Sequence, residues 1–302
     1  MKFLSTGSFV PPRRMTNQDF EKIVDTSDQW IVERTGIHAR HVAEEETTLT
    51  MAMAAAKQAM EGVDPSAIGL VLVATFTPDQ ATPSVASQLQ QALGLPEEVL
   101  AYDINAACSG FLFALLTAER LLEAMPGKCA LLVGAEKVSG RLDYTDRGTC
   151  ILFGDGAGAA VVQADGRPTW ADYGNRSNGS AIYTDEKGLL RMEGRQVYQF
   201  AVRTVTQSIR NVLEKAGLEP GQLDHVVCHQ ANHRIIEAVA RHLGAPMELF
   251  FENLGEYGNT SAASIPLALD EMHRNGMLKS GQRVLLEGFG SGLSWGSYLF
   301  EW

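Results

Sequence analysis

The stretch VLAYDINAACSGFLFALLTAERLLEAM, residues 99–125, changes its hydrophobic period once, near its middle. Over VLAYDI (99–104) apolar residues crowd a short run that fits a buried strand; from 109 to 124 they recur at three- and four-residue spacing, the period of an amphipathic helix. A strand handed directly to a helix is the repeating unit of an α/β sheet covered on both faces. The alternation continues outward. IGLVLVAT (68–75), CALLVGA (129–135), DHVVCH (224–229) and RVLLEGF (283–289) read as further buried strands, and 17–24, 50–60, 196–216, 231–243 and 261–275 as helices.

The two halves of the chain repeat one order: a strand, a helix opening just after a reactive residue, another strand, then a glycine-rich run feeding final strands. FGDGAGAAVV (153–162) closes the first and GFGSGLSWGSYLF (288–300) the second. Between them, the polar stretch 164–190, with Gly, Pro, Asp and Asn throughout, is the natural boundary. It divides the chain into an N-terminal half, 1–165, and a C-terminal half, 166–302.

With 302 residues and 45% hydrophobic content, the chain can bury one large core or two smaller ones. A formal charge of −11 argues against nucleic-acid binding and would repel anionic substrates unless basic residues gather at the entrance. The N-terminus MKFLSTGSFVPPRRM has one short apolar patch with its basic pair downstream, and no run of about 18 apolar residues follows. The expectation is a soluble, cytoplasmic protein with no membrane or nucleic-acid partner. Cysteines 108, 129, 150 and 228 show no CxxC pairing, so neither a disulfide framework nor a cysteine zinc site is indicated.

Cys108 stands where strand gives way to helix. There it would face unpaired backbone N–H groups and the positive end of the macrodipole, which favours thiolate; a small residue buried under a helix fits this segment equally well. His229 lies at the end of a strand, where open α/β sheets place their sites, although a lone histidine there is more often structural. His229 and His233 could share a helix face, but a metal site needs a further ligand and none is spaced nearby. Asn259, in YGNTSAASIPLALDEM, reads by itself as a helix cap. FGDGAG and GFGSG do not fit GxGxxG and lead into apolar strands, so they mark tight turns or close backbone approach rather than phosphate binding.

Taken together, AACSGF around Cys108, HQANHR at 229–234 and YGNTSAAS around Asn259 closely resemble the β-ketoacyl-acyl carrier protein synthase III family. TSDQWIVERTGI (26–37), TDRGTCILFGDGAGAAVV (145–162) and GFGSGLSWGSYL (288–299) extend the resemblance over nearly the whole chain. It implies the thiolase-like α/β fold, two similar βαβαβαββ halves in a five-layered αβαβα arrangement, assembled as a homodimer. It implies that Cys108 takes an acyl group from acyl-CoA, that malonyl-acyl carrier protein then loses carbon dioxide, and that the resulting carbanion attacks the acyl-cysteine. No cofactor or metal is implied. Thioester exchange needs a soft thiolate nucleophile, and the enolate formed by decarboxylation needs two donors, here His229 and Asn259.

By the same resemblance, backbone N–H groups of Cys108 and Ser291 hold the acyl-enzyme oxyanion, although the family often has glycine where Ser291 stands. Trp30, Arg34 and Arg147 would meet the adenine of coenzyme A, and Asn232 the pantetheine. Gln230, Arg234 and Arg241 would dock the acidic carrier protein, and Gln199 falls where some relatives carry lysine. In the acyl pocket, Phe289 lines the tunnel, and Thr82 stands where several acetyl-preferring relatives carry a phenylalanine that crosses the dimer interface. The smaller threonine implies room for longer or branched starters. The stretch 163–195 is shorter than in many relatives.

Other activities fit the same three residues. A thiolase-fold acyltransferase of secondary metabolism would keep Cys, His and Asn but pass its acyl group to another acceptor; malonyl-dependent release of carbon dioxide separates the two. A cysteine hydrolase would use His229 as the base on Cys108, and the paired halves and pantetheine-type entrance argue against it. A non-catalytic binding module would leave the nucleophile and both donors unexplained.

Overall fold

The computed structural model describes residues 1–302. β1 (Lys2–Phe9), β2 (Arg14–Thr16), α1 (Asn17–Phe20), α2 (Asp28–Thr35) and β3 (Ala39–His41) come first. α3 (Thr48–Ala59), β4 (Ile68–Ala74), α4 (Val85–Ala92), β5 (Leu100–Ile104), α5 (Gly110–Leu122), β6 (Cys129–Glu136) and β7 (Gly156–Gln163) follow. Next are β8 (Trp170–Asn175), β9 (Ile182–Thr184), β10 (Leu190–Met192), α6 (Gly194–Ala216), β11 (His225–Cys228) and α7 (His233–Leu243). α8 (Leu254–Tyr257), α9 (Ser264–Arg274), β12 (Arg283–Gly290) and β13 (Ser294–Glu301) end the chain.

The first sheet runs β1-β7-β6-β4-β5 and the second β8-β13-β12-β11. In each, a parallel pair meets an antiparallel return strand, β7 beside β6 and β13 beside β12. Where the first sheet continues to β5, the second keeps only a one-residue parallel bridge from Val226 to Phe250. The two sheets thus share one order, shortened in the second.

The apolar faces show how they stack. α3 and α4 pack with Val71, Val73 and Val161 on one side of the first sheet. α5 and α9 are buried between the sheets, against Leu70 and Leu132 of the first and Val284 and Leu286 of the second. α6 and α7 cover the outer side of the second sheet with Leu285 and Leu299. These are the five layers of the thiolase-type fold, and they explain why the central strands read as unbroken apolar runs: Leu70 to Ala74 are all completely buried because both faces are covered.

Three expectations are corrected. The helix expected over 17–24 ends at Phe20, because Phe20 is its last buried residue and Ile23 is exposed, leaving nothing to hold a further turn. The polar stretch 164–190 is not a simple connection, since it contributes β8 to the second sheet through pairing with β13. His229 and His233 share no helix face: His229 follows β11 outside any helix, and His233 opens α7 with its Nδ1 2.9 Å from Glu252. No helix is long and apolar enough to cross a membrane.

Candidate active site

One cavity of about 600 Å³ reaches from an exposed basic rim to a buried end. Cys108, His229, Asn259, Phe289 and Ser291 line the inner part, and Trp30, Arg34, Arg147, Asn232 and Arg234 also border it.

Cys108 sits in the 3-10 turn Ala107–Ser109 between β5 and α5. Ala107, just before it, holds φ +46°, a left-handed conformation that non-glycine residues seldom adopt. The turn leaves the Cys108 N–H without an acceptor inside the molecule, and the Ser291 N–H is likewise free. The end of β12 presses against this turn: a Cβ on Gly290 would lie 2.8 Å from Cys108 N, so only glycine permits the approach. Cys108 and Ser291 both line the one cavity.

Burial pushes the Cys108 thiol up to about 12; the Ser261 hydroxyl opposes that shift and the buried Glu136 carboxyl adds to it. Cys108 is half-buried and borders the cavity, so desolvation and the helix N-terminus act on its sulfur in opposite directions.

His229 is buried at the end of β11, its N–H donating to Glu287 O at 2.7 Å. Burial alone holds its imidazole down to about 3, so the ring is neutral at physiological pH. Nδ1 lies 3.1 Å from Ser264 Oγ. Ser264 Oγ also lies 2.9 Å from Ser261 O, so its single proton serves one of the two; when it goes to Nδ1, Nε2 carries the ring proton and is the ring's one donor. The Phe289 ring meets the imidazole edge-on, with centroids 5.3 Å apart.

Asn259 is pinned by its backbone, donating to Leu152 O at 2.8 Å and accepting from Gly154 N–H at 3.0 Å. Its Oδ1 accepts from Ser261 N–H at 2.9 Å, and its Nδ2 has no partner in the molecule. Asn259 therefore is not the helix cap its sequence suggested; its Oδ1 holds the loop ahead of the 3-10 turn at Ser261, and Nδ2 is left free.

At the exposed end the Trp30 ring has the Arg147 guanidinium 5.0 Å and the Arg34 guanidinium 5.8 Å from its centroid. Asn232 caps α7 through Arg234 N–H and donates to Arg34 O at 3.0 Å, so a ligand contact would have to share these bonds. Arg234 and Arg241 are exposed on α7 with no acidic partner within ion-pair distance.

Gln230 is a correction. It is buried; its Nε2 donates to Cys228 O and Phe251 O, and its Oε1 accepts from Asn253 N–H and Leu254 N–H. A fully bonded interior amide offers nothing to a docking protein. Thr82 is exposed and does not border the cavity of its own chain. Sequence reasoning missed the β9–β10 hairpin, whose Ile182, Tyr183, Leu190 and Met192 form one wall; its polar surroundings hid the pattern.

Residues 102–179 match the family model for 3-oxoacyl-[acyl-carrier-protein] synthase III, and 213–302 match the model for its C-terminal part. The chain is 44% identical over 323 residues to the beta-ketoacyl-[acyl-carrier-protein] synthase III of Clostridium acetobutylicum, covering 100% of this chain and 98% of that one. It is 45% identical over 307 residues to the Aquifex aeolicus protein of the same name, covering 100% and 99%. The crystal structure of the 3-oxoacyl-[acyl-carrier-protein] synthase III from Aquifex aeolicus superposes with a TM-score of 0.96 at 43% identity, covering 100% of this chain and 99% of that one.

Proposed function

The chain belongs to the 3-oxoacyl-[acyl-carrier-protein] synthase III family, and from that membership we propose how its cavity residues divide the reaction. It is a condensing acyltransferase that joins an acyl-CoA starter to malonyl-acyl carrier protein and so initiates fatty acid biosynthesis.

Cys108 Sγ attacks the starter thioester and holds the acyl group, splitting one difficult step into two. The N–H groups of Cys108 and Ser291 stabilise the oxyanion on that acyl carbon. Only backbone is used at 291, so serine serves as well as glycine there. His229 Nε2 and Asn259 Nδ2 donate to the malonyl thioester oxygen as carbon dioxide leaves, and neither needs a charge to do so. The observation that supports this reading is one sulfur, two unpartnered N–H groups and two neutral side-chain donors around a single cavity.

At the rim, Trp30, Arg34 and Arg147 take the nucleotide end of coenzyme A, Asn232 the pantetheine, and Arg234 and Arg241 the carrier protein. The reading extends to a cytoplasmic homodimer of two-part chains, 1–165 and 166–302, needing no cofactor. In it, Thr82 faces the end of the partner's acyl pocket, where its small side chain leaves room for longer or branched starters, and Phe289 lines its own.

Intact-mass spectrometry after incubation with a panel of acyl-CoA thioesters tests the core of this reading. The wild-type chain should gain one acyl group and Cys108→Ala none; normal loading of the variant would end the nucleophile assignment. If Thr82 sets pocket length, Thr82→Phe shifts loading toward acetyl, and an unchanged preference would remove it from the pocket.

A further inference from the structure

The Ser291 N–H needs no side chain in order to donate to an oxyanion, yet the side chain is engaged. Its hydroxyl donates to Ile182 O at 2.7 Å, which joins the loop after β12 to β9, a wall of the same cavity.

In the β9–β10 hairpin Ile182 is paired with Met192 and Thr184 with Leu190, and directly paired residues share one face of a sheet. All four line the cavity that holds Cys108, and three of them are apolar. The other end of that cavity carries the Trp30 ring between two guanidinium groups, so polar and charged parts of a thioester belong there. The hydrocarbon of the starter belongs against the hairpin. The hairpin's opposite face is fastened independently. Arg191, paired with Tyr183, donates to Asp143 Oδ2 at 2.8 Å and to Asp185 Oδ2 at 2.9 Å.

The loop that carries Ser291 has ties of its own. Leu293 and Arg176 exchange two backbone bonds of 2.7 Å, and Gly292 O accepts from Asn178 N–H at 2.8 Å. Ser294 Oγ lies 2.9 Å from Ser291 O. None of these bonds reaches β9 or β10. The Ser291 hydroxyl alone joins the loop bearing the oxyanion N–H to the wall that meets the acyl chain.

We propose that this hydroxyl couples the acyl-pocket wall to the Ser291 N–H, so that starter choice is expressed in the rate of acyl transfer and not only in binding. Ser291 is thereby a positioning residue through its side chain, besides the donor its backbone supplies. The proposal rests on Cys108 being the acyl carrier. A starter that fills the space against Ile182, Leu190 and Met192 bears on the strand whose carbonyl holds the hydroxyl, and the hydroxyl sets where residue 291 lies. An acetyl group, with one methyl beyond its carbonyl, touches that wall least. The chemical step itself is unchanged. Sγ bonds the acyl carbon, the bond from that carbon to the coenzyme A sulfur breaks, and coenzyme A leaves as a thiol with the proton that Cys108 gives up.

The test is rapid-quench loading of wild type, Ser291→Ala, Ser291→Gly and Ser291→Thr with acetyl- and isobutyryl-CoA over a range of concentrations, read by intact mass. Ser291→Ala should lower the maximal loading rate with isobutyryl-CoA about fivefold further than with acetyl-CoA, the factor of one hydrogen bond, while half-saturating concentrations move by less than about twofold. Ser291→Gly also lacks the hydroxyl and should show the same change. Ser291→Thr keeps a hydroxyl and should hold the wild-type ratio between the two starters. Equal slowing with both starters, or a change confined to the half-saturating concentrations, overturns the coupling. So does a ratio that shifts as far in Ser291→Thr as in Ser291→Ala. Loading that persists on Cys108→Ala is a separate failure, that of the nucleophile reading, and removes the coupling with it.

Discussion

Two turns at the centre of the molecule are built alike and used differently. Ala107–Ser109 and Ser261–Ala263 are both 3-10 turns opening a helix that lies between the sheets, and each contains a non-glycine residue at positive φ, +46° and +52°. Each is also crossed by a glycine from the opposite sheet. A Cβ on Gly290 would lie 2.8 Å from Cys108 N, and one on Gly134 would lie 2.2 Å from Ala262 O. The first turn carries the sulfur. The second carries none and is flanked by Asn259 and by Ser264, the partner of His229. In the proposed mechanism one turn does covalent chemistry, and its counterpart lies beside the uncharged donors. The difference lies in side chains on a repeated backbone.

Substituting the crossing glycines is the sharpest way to break this division. Gly290→Ala should displace Cys108 and its N–H and slow acyl loading by about a hundredfold or more, since misplacement near 1 Å carries that cost. Gly134→Ala meets backbone at the other turn and should lower stability by about 1–3 kcal/mol, with melts and loading measured on the same samples. If Gly290→Ala loads normally, the close approach has no catalytic meaning.

The buried ionisable groups of the two sheets should also respond oppositely to pH. His229 is lower folded, about 3, than its ordinary 6.5, so the unfolded chain protonates first; its contribution is whole above about 6.5 and lost as pH falls toward 3. Glu136 is higher folded, about 7, than its ordinary 4.5, so its contribution is whole below about 4.5 and lost as pH rises through 7. Thermal melts should show His229→Gln differing from wild type in acid dependence and Glu136→Gln in alkaline dependence. Matching profiles for all three proteins would contradict both assignments.

The smallest effect belongs to the rim. Arg234→Glu and Arg241→Glu should raise the KM for malonyl-acyl carrier protein several-fold and leave a small malonyl thioester unaffected, because rim charges act on encounter. An equal defect with the small thioester would place these arginines in the chemistry instead.

The central strands and helices were legible because covered sheets write themselves as apolar runs. β8 was not, because half-exposed strands such as this one, with Tyr173 63% exposed, carry polar residues and resemble loops. The three chemical residues were visible as types in order, whereas their environments were not. A helix N-terminus can be read at Cys108, but the close approach of Gly290 to its backbone, from far away in sequence, cannot. Gln230 shows the same limit, since its position within HQANHR says nothing of the four bonds that hold it inside. Asn259 read as a helix cap, but the fold gives that place to Thr260 and Ala263 and leaves the Asn259 Nδ2 without a partner.

The division between the two turns is tested most directly by separating the half-reactions in His229→Ala and Asn259→Ala. Acyl loading of Cys108 and decarboxylation of malonyl-acyl carrier protein would be timed on the same preparations. The account predicts loading within about twofold of wild type while decarboxylation falls by about a hundredfold, the cost of removing one oxyanion donor. Loading that falls in step with decarboxylation would contradict it.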